Sequence, residues 1–218
     1  EPLFNETTLA EGGPEFASRF GGLGSAPKFP PHQALLVLLR QGRLDEDSRP
    51  RFMATTTLDA MAAGGIYDHV GGGFARYSTD REWLAPHFEK MLYDNAQLAR
   101  AYTEAWQVTK SAAYQRVARE VCDYVLREMV SKDGGFYSAT DADSEGVEGK
   151  FFVWTKAEVE TLLTEAGEAA AFCDYYDITE AGNWEGHNIL RTLHPKTEVA
   201  RRHSMLESTL DDIVARGR

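Results

Sequence analysis

The sequence predicts an all-α fold of helix pairs, with short β-hairpins in the loops between them. Three observations support this prediction: apolar residues recur at helical spacing, strand-like segments are few and short, and the string "GG(I/F)Y" closes two successive helix pairs. A chain of 218 residues is long enough to bury a sizeable core. We expect a helical domain over residues 31–218, preceded by an irregular lead-in over residues 1–30.

The first two helix pairs are predicted from apolar periodicity. One pair is expected over Pro31–Arg40 and Arg49–Ala63. In the second pair, one apolar stripe runs from Phe88 to Trp106 and the other from Tyr114 to Met129, with only "VTKSA" as the predicted connection. Such a short connection favours an antiparallel hairpin.

The later part of the chain carries weaker signals. A third pair is predicted to start at "TKAE", where Thr155 and Glu158 have the spacing of a capping box, and a last helix is expected over Glu198–Ala215. The segments "GGFYSA" and "GKFFVWT" are predicted to form a small hairpin around the acidic stretch between them.

The repeated loops predict a common functional face. If each helix pair is antiparallel, every second loop returns to the same end of the molecule, so the polar, glycine-bearing loops gather there. Repeated helix pairs of this kind build either a solenoid or a closed α/α toroid.

Charge and composition exclude several classes of protein. The net charge of −11 disfavours nucleic acid and anionic membranes as partners, and no apolar run approaches the length of a membrane helix. The chain shows no secretory signal and does not begin with Met, so we expect a fragment of a cytoplasmic protein. Cys122 falls in an apolar helical stripe and is expected to be buried, and no C-x-x-C pair occurs.

The stretch "GGIYDHVGGGFARYS", residues 64–78, combines permissive backbone with polar side chains. Its glycines either let two helices meet or let backbone and polar groups close around a ligand. On the second interpretation, Asp68 and His69 are candidate catalytic groups, whereas Tyr67, Arg76 and Tyr77 are candidates for binding substrate hydroxyls.

The stretch "REWLAPHFEKMLYDNAQLAR" adds candidates. Pro86 is suited to a helix start, and a helix from there would place His87 and Asp94 on one face, as catalytic groups. Asn95 falls inside the apolar stripe, where a buried amide must find partners, and it is also a candidate substrate ligand.

The stretch "ATDADSEGVEGKFFVWT" resembles a calcium loop superficially, but Phe152 stands where a bidentate Glu is required. A solvated acidic turn is one interpretation. The other is a carbohydrate site, with Asp141 catalytic and Asp143 and Trp184 binding substrate beside aromatic platforms. We predict neither a metal nor another cofactor.

Three long strings carry a family resemblance: "GGLGSAPKFP", "GGIYDHVGGGFARYSTDREWLAPHFEKMLYDNAQLA" and "DGGFYSATDADSEGVEGKFFVWT". They resemble the uncharacterised spermatogenesis-associated, thioredoxin-domain-containing family, over residues 21–191. The resemblance implies an α/α toroid similar to N-acylglucosamine 2-epimerases and six-hairpin glycosidases, of which this chain would supply about three of six hairpins. It also implies a thioredoxin-like domain elsewhere in the full-length protein. His187 departs from the family, where Lys is more usual, so a charge-dependent role there is in doubt.

Two functions follow. The first is a carbohydrate-active enzyme, an epimerase, isomerase or hydrolase, acting on a small sugar at the loop face. The second is a non-catalytic module that binds a glycan or a protein, in which the crowded loop residues pair with one another. An open cavity that receives Asp68, His69, His87 and Asp94 would favour the first function. The fragment is expected to dimerise through exposed helix faces.

Overall fold

A computed structural model describes residues 20–44, 48–165 and 167–218, and this part of the chain is about half helical. Most of the predicted lead-in, residues 1–19, lies outside the described residues, and residues 20–30 are irregular. The helices are α1 (His32–Leu44), α2 (Arg49–Ala63), α3 (Leu92–Thr109), α4 (Ala112–Glu128), α5 (Lys156–Leu162), α6 (Glu168–Tyr175), α7 (Lys196–Arg202) and α8 (Glu207–Gly217).

The loops contain short antiparallel β-ribbons. The strands are β1 (Tyr77–Ser78), β2 (Pro86–His87), β3 (Lys90–Met91), β4 (Ala139–Thr140), β5 (Asp143–Ser144) and β6 (Val147–Glu148). They pair as β1–β2, β3–β4 and β5–β6. The β3–β4 pair joins the loop before α3 to the loop after α4, so it connects the two ends of the α3–α4 helix pair.

The helices pack as the predicted pairs. Helices α3 and α4 make the most extensive contact, and α1 packs against both α2 and α3. Only Lys110 and Ser111 separate α3 from α4, and Lys110 adopts a left-handed conformation (φ 62°) that ends α3. One core lies under α1 to α4, and a second core lies under α5 to α8.

Two predicted helix boundaries are confirmed and one is wrong. Helix α2 has the predicted bounds, and Thr155 with Glu158 forms the predicted capping box at the start of α5. The predicted helix start at Pro86 is wrong, because Pro86 lies in β2 and α3 begins only at Leu92. Backbone pairing explains this difference: the Arg76 N–H donates to the Glu89 carbonyl at 2.8 Å, which holds the segment extended.

Three further expectations are corrected. The last predicted helix is broken into α7 and α8 at Ser204, whose φ of 53° cannot continue a helix. The predicted hairpin between "GGFYSA" and "GKFFVWT" does not form, because Ala139 pairs with Met91 and the acidic stretch forms its own ribbon. Cys122 is exposed, since the buried stripe of α4 runs through Val121 and the next position of a helix points about 100° away.

No helix in the described ranges combines the length and the apolar character needed to cross a membrane.

Candidate functional site

The three long loops meet at one end of the molecule, as their periodic placement predicts. These are the loops over residues 64–91, 129–155 and 176–195. Trp154 and Asn188 exchange backbone hydrogen bonds of 3.0 and 2.8 Å, which joins the second loop to the third. The Thr192 N–H donates to the Ala63 carbonyl at 2.8 Å, so the third loop also closes onto the end of α2.

The glycines of the first loop allow protein surfaces to approach closely. A Cβ on Gly65 would lie 2.2 Å from the Leu84 carbonyl oxygen and 2.3 Å from Ile189 Cγ2. A Cβ on Gly73, whose φ is +79°, would lie 2.5 Å from the Tyr124 ring. In these positions glycine lets the first loop pack against α4 and the other loops.

A cavity of about 650 Å³ opens between the three loops and the end of α4. We call it the loop cavity. Its aromatic walls come from the first loop, the second loop and α4, and include Tyr67, Phe88, Tyr124, Phe152 and Trp154. Among the predicted site residues, Tyr67, Asp68 and His69 line it, and each of the three is bonded within the protein.

A buried ion pair lies at the floor of the loop cavity. Lys90 Nζ donates to Asp68 Oδ2 at 2.7 Å and to the Gly72 carbonyl at 2.8 Å. The ammonium group also lies 4.4 Å from the ring centre of Tyr124 and 5.0 Å from that of Phe152. Burial tends to raise the pKa of Asp68, but the Lys90 charge and two backbone N–H donors lower it overall. Asp68 is therefore a carboxylate with its partners already in place.

Tyr67 and His69 also form hydrogen bonds within the protein. The Tyr67 hydroxyl donates to the Glu120 carboxylate of α4. His69 Nε2 lies 3.0 Å from the Gly64 carbonyl, and because a carbonyl can only accept, Nε2 carries the hydrogen. Burial lowers the pKa of His69 to about 4, so its imidazole is neutral near pH 7 and is a weak base there.

A second group of polar side chains surrounds the first turns of α1 and α3. We call it the polar network, and its members are His32, Arg76, His87, Glu89, Asp94 and Glu148. Its links are His87 Nδ1 to Glu148 Oε1 at 2.7 Å, Arg76 Nη1 to Glu89 Oε2 at 3.1 Å and His32 Nε2 to Asp94 Oδ1 at 3.2 Å. His87 Nε2 also lies 3.9 Å from Glu89 Oε2, and the charges of Arg76 and Glu89 act on Asp94, so three predicted site residues, Arg76, His87 and Asp94, lie near one another. His87 lies in β2 and not on the face of a helix.

Orphaned polar atoms concentrate in this network. Over the described ranges, four buried side-chain atoms lack a hydrogen-bond partner, and three of them are His32 Nε2, Arg76 Nε and Asp94 Oδ2. Such atoms are uncommon in folded proteins and indicate strain or function. Burial raises the pKa of Asp94 to about 6, with the Arg76 charge opposing this shift, and burial lowers the pKa of His32 to about 4.

An aromatic stack borders the polar network. The rings of Phe29 and Tyr77 stack at 4.8 Å between centres, and those of Tyr77 and His87 stack at 5.2 Å. Phe29 is 52% exposed, so the stack ends at the surface. A flat aromatic surface beside hydrogen-bonding groups suits the apolar face and the hydroxyl edge of a sugar ring.

The remaining predicted residues lie outside both sites. Asn95 is fully buried and hydrogen-bonded to backbone groups, and Trp184 packs edge-on against Phe88. Asp141 and Asp143 are exposed, Asp141 just before β5 and Asp143 as its first residue. His32 is not among the site residues that the sequence predicts, because a lone histidine at a helix start belongs to no motif. Its only signal in the sequence is its place at the start of a predicted helix, beside "KFPP". Over the described ranges, no three His, Cys, Asp or Glu side chains cluster in a way that could hold a metal ion.

The chain has close relatives in animals. It is 46% identical to human spermatogenesis-associated protein 20 over 186 residues, covering 77% of this chain and 24% of the relative. It is 45% identical to the mouse protein of that name over 218 residues, covering 87% and 28%, and 38% identical to an uncharacterized protein of Caenorhabditis elegans, covering 87% and 30%. The chain thus spans 24–30% of the length of these relatives. No protein-family model matches it.

Solved sugar epimerases share the fold. Cellobiose 2-epimerase from Spirochaeta thermophila DSM 6192 superposes with a TM-score of 0.54 at 17% identity, over 58% of this chain and 34% of that one. A sugar epimerase from a ruminal bacterium gives a TM-score of 0.51 at 14% identity, over 73% of this chain and 45% of that one. The helical fold of this chain is therefore like that of these epimerases and consistent with a helical toroid. Its named homologues are the spermatogenesis-associated protein 20 proteins.

Proposed function

We propose that this chain forms part of the sugar site of a carbohydrate-active α/α toroid, and that the reaction is an epimerisation or isomerisation centred on the polar network. The observation that carries the proposal is the Asp94 carboxyl group, which is buried, has an unpartnered Oδ2 and has a pKa raised to about 6. A general acid or base works best when its pKa is near the working pH.

The network supplies the other groups that such a reaction needs. In the proposed reaction, the Asp94 carboxylate removes the proton from the sugar carbon next to the carbonyl group, and the electron pair moves onto the carbonyl oxygen. The Arg76 guanidinium, 41% exposed and paired with Glu89, stabilises that oxygen. The Phe29–Tyr77 stack holds the apolar face of the ring, and His87 with Glu148 binds hydroxyl groups. His87 then gives a proton to the opposite face of the carbon as the carbonyl group re-forms, and Asp94 releases its proton to water while His87 recovers one, which completes an epimerisation.

The fold supports this proposal by analogy, since two sugar epimerases share it. Other parts of the proposal concern the complete protein: further hairpins that close the toroid, a thioredoxin-like domain and a cytoplasmic location.

The test is a screen of the complete protein that carries this chain, with mono- and disaccharides in D₂O. Proton NMR then reads epimers formed and exchange of the hydrogen at the reacting carbon for deuterium. We expect Asp94→Asn to lower the rate about 10²-fold or more, in line with the loss of one general base. Asp123→Asn, a matched change on the exposed surface of α4, should retain full activity.

Full activity in Asp94→Asn, or a protein that neither exchanges nor converts any sugar, would remove the proposed reaction. Because the asparagine variant keeps the shape of the side chain, circular dichroism of the two variants separates lost chemistry from lost folding.

A second function is favoured by one observation: Asp68, His69 and Tyr67 in the loop cavity are all bonded within the protein. Such a cavity suits a glycan held against aromatic walls without proton transfer, as in a non-catalytic binding module. Titration calorimetry with the same sugars distinguishes the two functions. Binding that is weakened by Trp154→Ala and unaffected by Asp94→Asn would favour the binding module.

A further inference from the structure

The first turns of α1 and α3 bring a histidine and an aspartate together inside the polar network. His32 is the first residue of α1, and Asp94 lies in the first turn of α3. The two helices pack against each other, so the side chains meet with His32 Nε2 at 3.2 Å from Asp94 Oδ1. Only 13% of the His32 side chain and 5% of the Asp94 side chain are exposed.

The two side chains lie within hydrogen-bond distance, but their geometry does not form a hydrogen bond. His32 Nε2 and Asp94 Oδ2 both lack a hydrogen-bond partner, so the ring nitrogen faces Oδ1 without aligned geometry and the second carboxyl oxygen has no donor. A modest rotation of the imidazole about its Cβ–Cγ bond would align an Nε2–H with Oδ1, since the heavy atoms are already within hydrogen-bond distance.

We infer that His32 is a positioning residue for Asp94: its Nε2–H fixes Oδ1, which leaves Oδ2 as the oxygen that exchanges a proton with the ligand. This inference deepens the proposed function and rests on it for the identity of the ligand.

Burial and the helix macrodipoles set the protonation states of His32 and Asp94. A cationic imidazole is disfavoured at the start of a helix, where the macrodipole is positive, and burial disfavours it further. The same macrodipole favours a carboxylate at Asp94, but burial outweighs it and raises the pKa of that group to about 6. Between pH 4 and pH 6 the carboxyl group of Asp94 is therefore protonated beside a neutral His32, and above pH 6 the carboxyl group is ionised while the neutral imidazole keeps one ring N–H.

Other charges act on Asp94 from the elements around it. Arg76, from the loop before β1, lowers its pKa, and Glu89, between β2 and β3, raises it. Arg76 and Glu89 are paired with each other, and their effects oppose one another, with that of Arg76 the larger. His32 is the titratable group in direct contact with Asp94, and we therefore expect it to decide how readily Asp94 Oδ2 accepts a proton.

The test follows the Asp94 carboxyl group directly. The 218-residue chain is labelled with ¹³C at aspartate carboxyl carbons, the Asp94 signal is assigned by its loss in Asp94→Asn, and the signal is followed from pH 3 to pH 8. The wild-type midpoint is expected near pH 6. His32→Leu removes the donor and should raise the midpoint by ~1 pH unit or more. His32→Gln, whose amide N–H can reach Oδ1, should return it to within ~0.5 unit of wild type.

Two controls keep the inference open to refutation. Gln33→Leu adds an apolar side chain at the neighbouring position of α1, and the Asp94 midpoint should not move. His32→Asn is polar but too short to reach Oδ1, and it should behave like His32→Leu. If His32→Leu does not fold, the comparison of His32→Gln with His32→Asn carries the test.

An unchanged Asp94 midpoint in both His32→Leu and His32→Asn would refute the positioning role. A wild-type midpoint near the ordinary value of an aspartate, ~3.9, would refute it as well. If the sugar screen detects no exchange or conversion but the Asp94 midpoints shift as expected, the proposed reaction is refuted and the positioning role of His32 is retained. Failure of the proposed reaction and failure of the positioning role are therefore distinguishable.

Discussion

The Asn95 side chain hydrogen-bonds both backbone polar groups of Phe74. Its Oδ1 accepts from the Phe74 N–H at 2.7 Å, and its Nδ2 donates to the Phe74 carbonyl at 3.0 Å. The amide thus imitates a neighbouring β-strand and fastens the first loop to the first turn of α3. Because Asn95 is fully buried, neither group of Phe74 has water as an alternative partner.

We predict that Asn95→Leu lowers the free energy of unfolding by about 3 kcal/mol, because it leaves a buried N–H and a buried carbonyl unpaired. Urea unfolding followed by circular dichroism measures this loss. Gln97→Leu removes an exposed amide from the same helix and should change stability by less than about 0.5 kcal/mol. Equal stability of the two variants would contradict a structural role for Asn95.

The Asp68–Lys90 pair should show strong coupling in a double-mutant cycle. Removing one partner with Asp68→Asn or Lys90→Met leaves the other group buried without its counter-charge, which costs about 3–5 kcal/mol. The double variant is expected to lose much less than the sum of the two single losses.

The exposed pair Arg40–Glu104 provides the control for this cycle, with an expected coupling of about 0.2–1 kcal/mol. Additive losses at Asp68 and Lys90, measured by urea unfolding, would show that their contact contributes little.

His69 should make the chain less stable in mild acid. Its pKa is about 4 in the folded state against 6.5 in the unfolded state, so the unfolded chain binds more protons between these values. Stability is complete above pH 6.5 and falls as the pH drops to about 4, by up to about 3 kcal/mol from this residue. His32 acts in the same direction, whereas Asp94, with a raised pKa, acts in the opposite direction.

Replacing His69 by Phe should therefore flatten the decline in unfolding free energy between pH 6.5 and pH 4, measured by urea unfolding at several pH values. His194→Phe, a change at an exposed histidine, should keep the wild-type slope. An unaltered slope in His69→Phe would mean that His69 is protonated in the folded chain.

The two thiols should differ sharply in reactivity. Cys122 is exposed, while Cys173 is buried and burial raises its pKa to about 11. At pH 8 a disulfide reagent should therefore label one thiol per native chain quickly and the second only on unfolding. Cys122→Ser should abolish the fast reaction and Cys173→Ser should preserve it. Two fast thiols in the native protein would contradict the burial of Cys173.

Local signals determined most of the helices. The apolar stripe of α4, the capping box of Thr155 and the bounds of α2 follow from side chains within one or two turns of each other, and they appear in the structure as predicted. The local sequence at Pro86 allows a helix, but the helix does not form there. Backbone hydrogen bonds within the first loop hold this segment extended instead.

The sequence by itself determined the helical class of the fold, the helix pairs and the gathering of their polar loops, because hydrophobic periodicity and turn chemistry act over short distances. Only the tertiary structure decided which polar groups are paired and which are left without a partner. Asp68 meets Lys90 through the folding of the first loop, and Asp94 meets His32 through the packing of α3 on α1. Burial at those contacts sets the charge of each side chain, and burial depends on the whole fold.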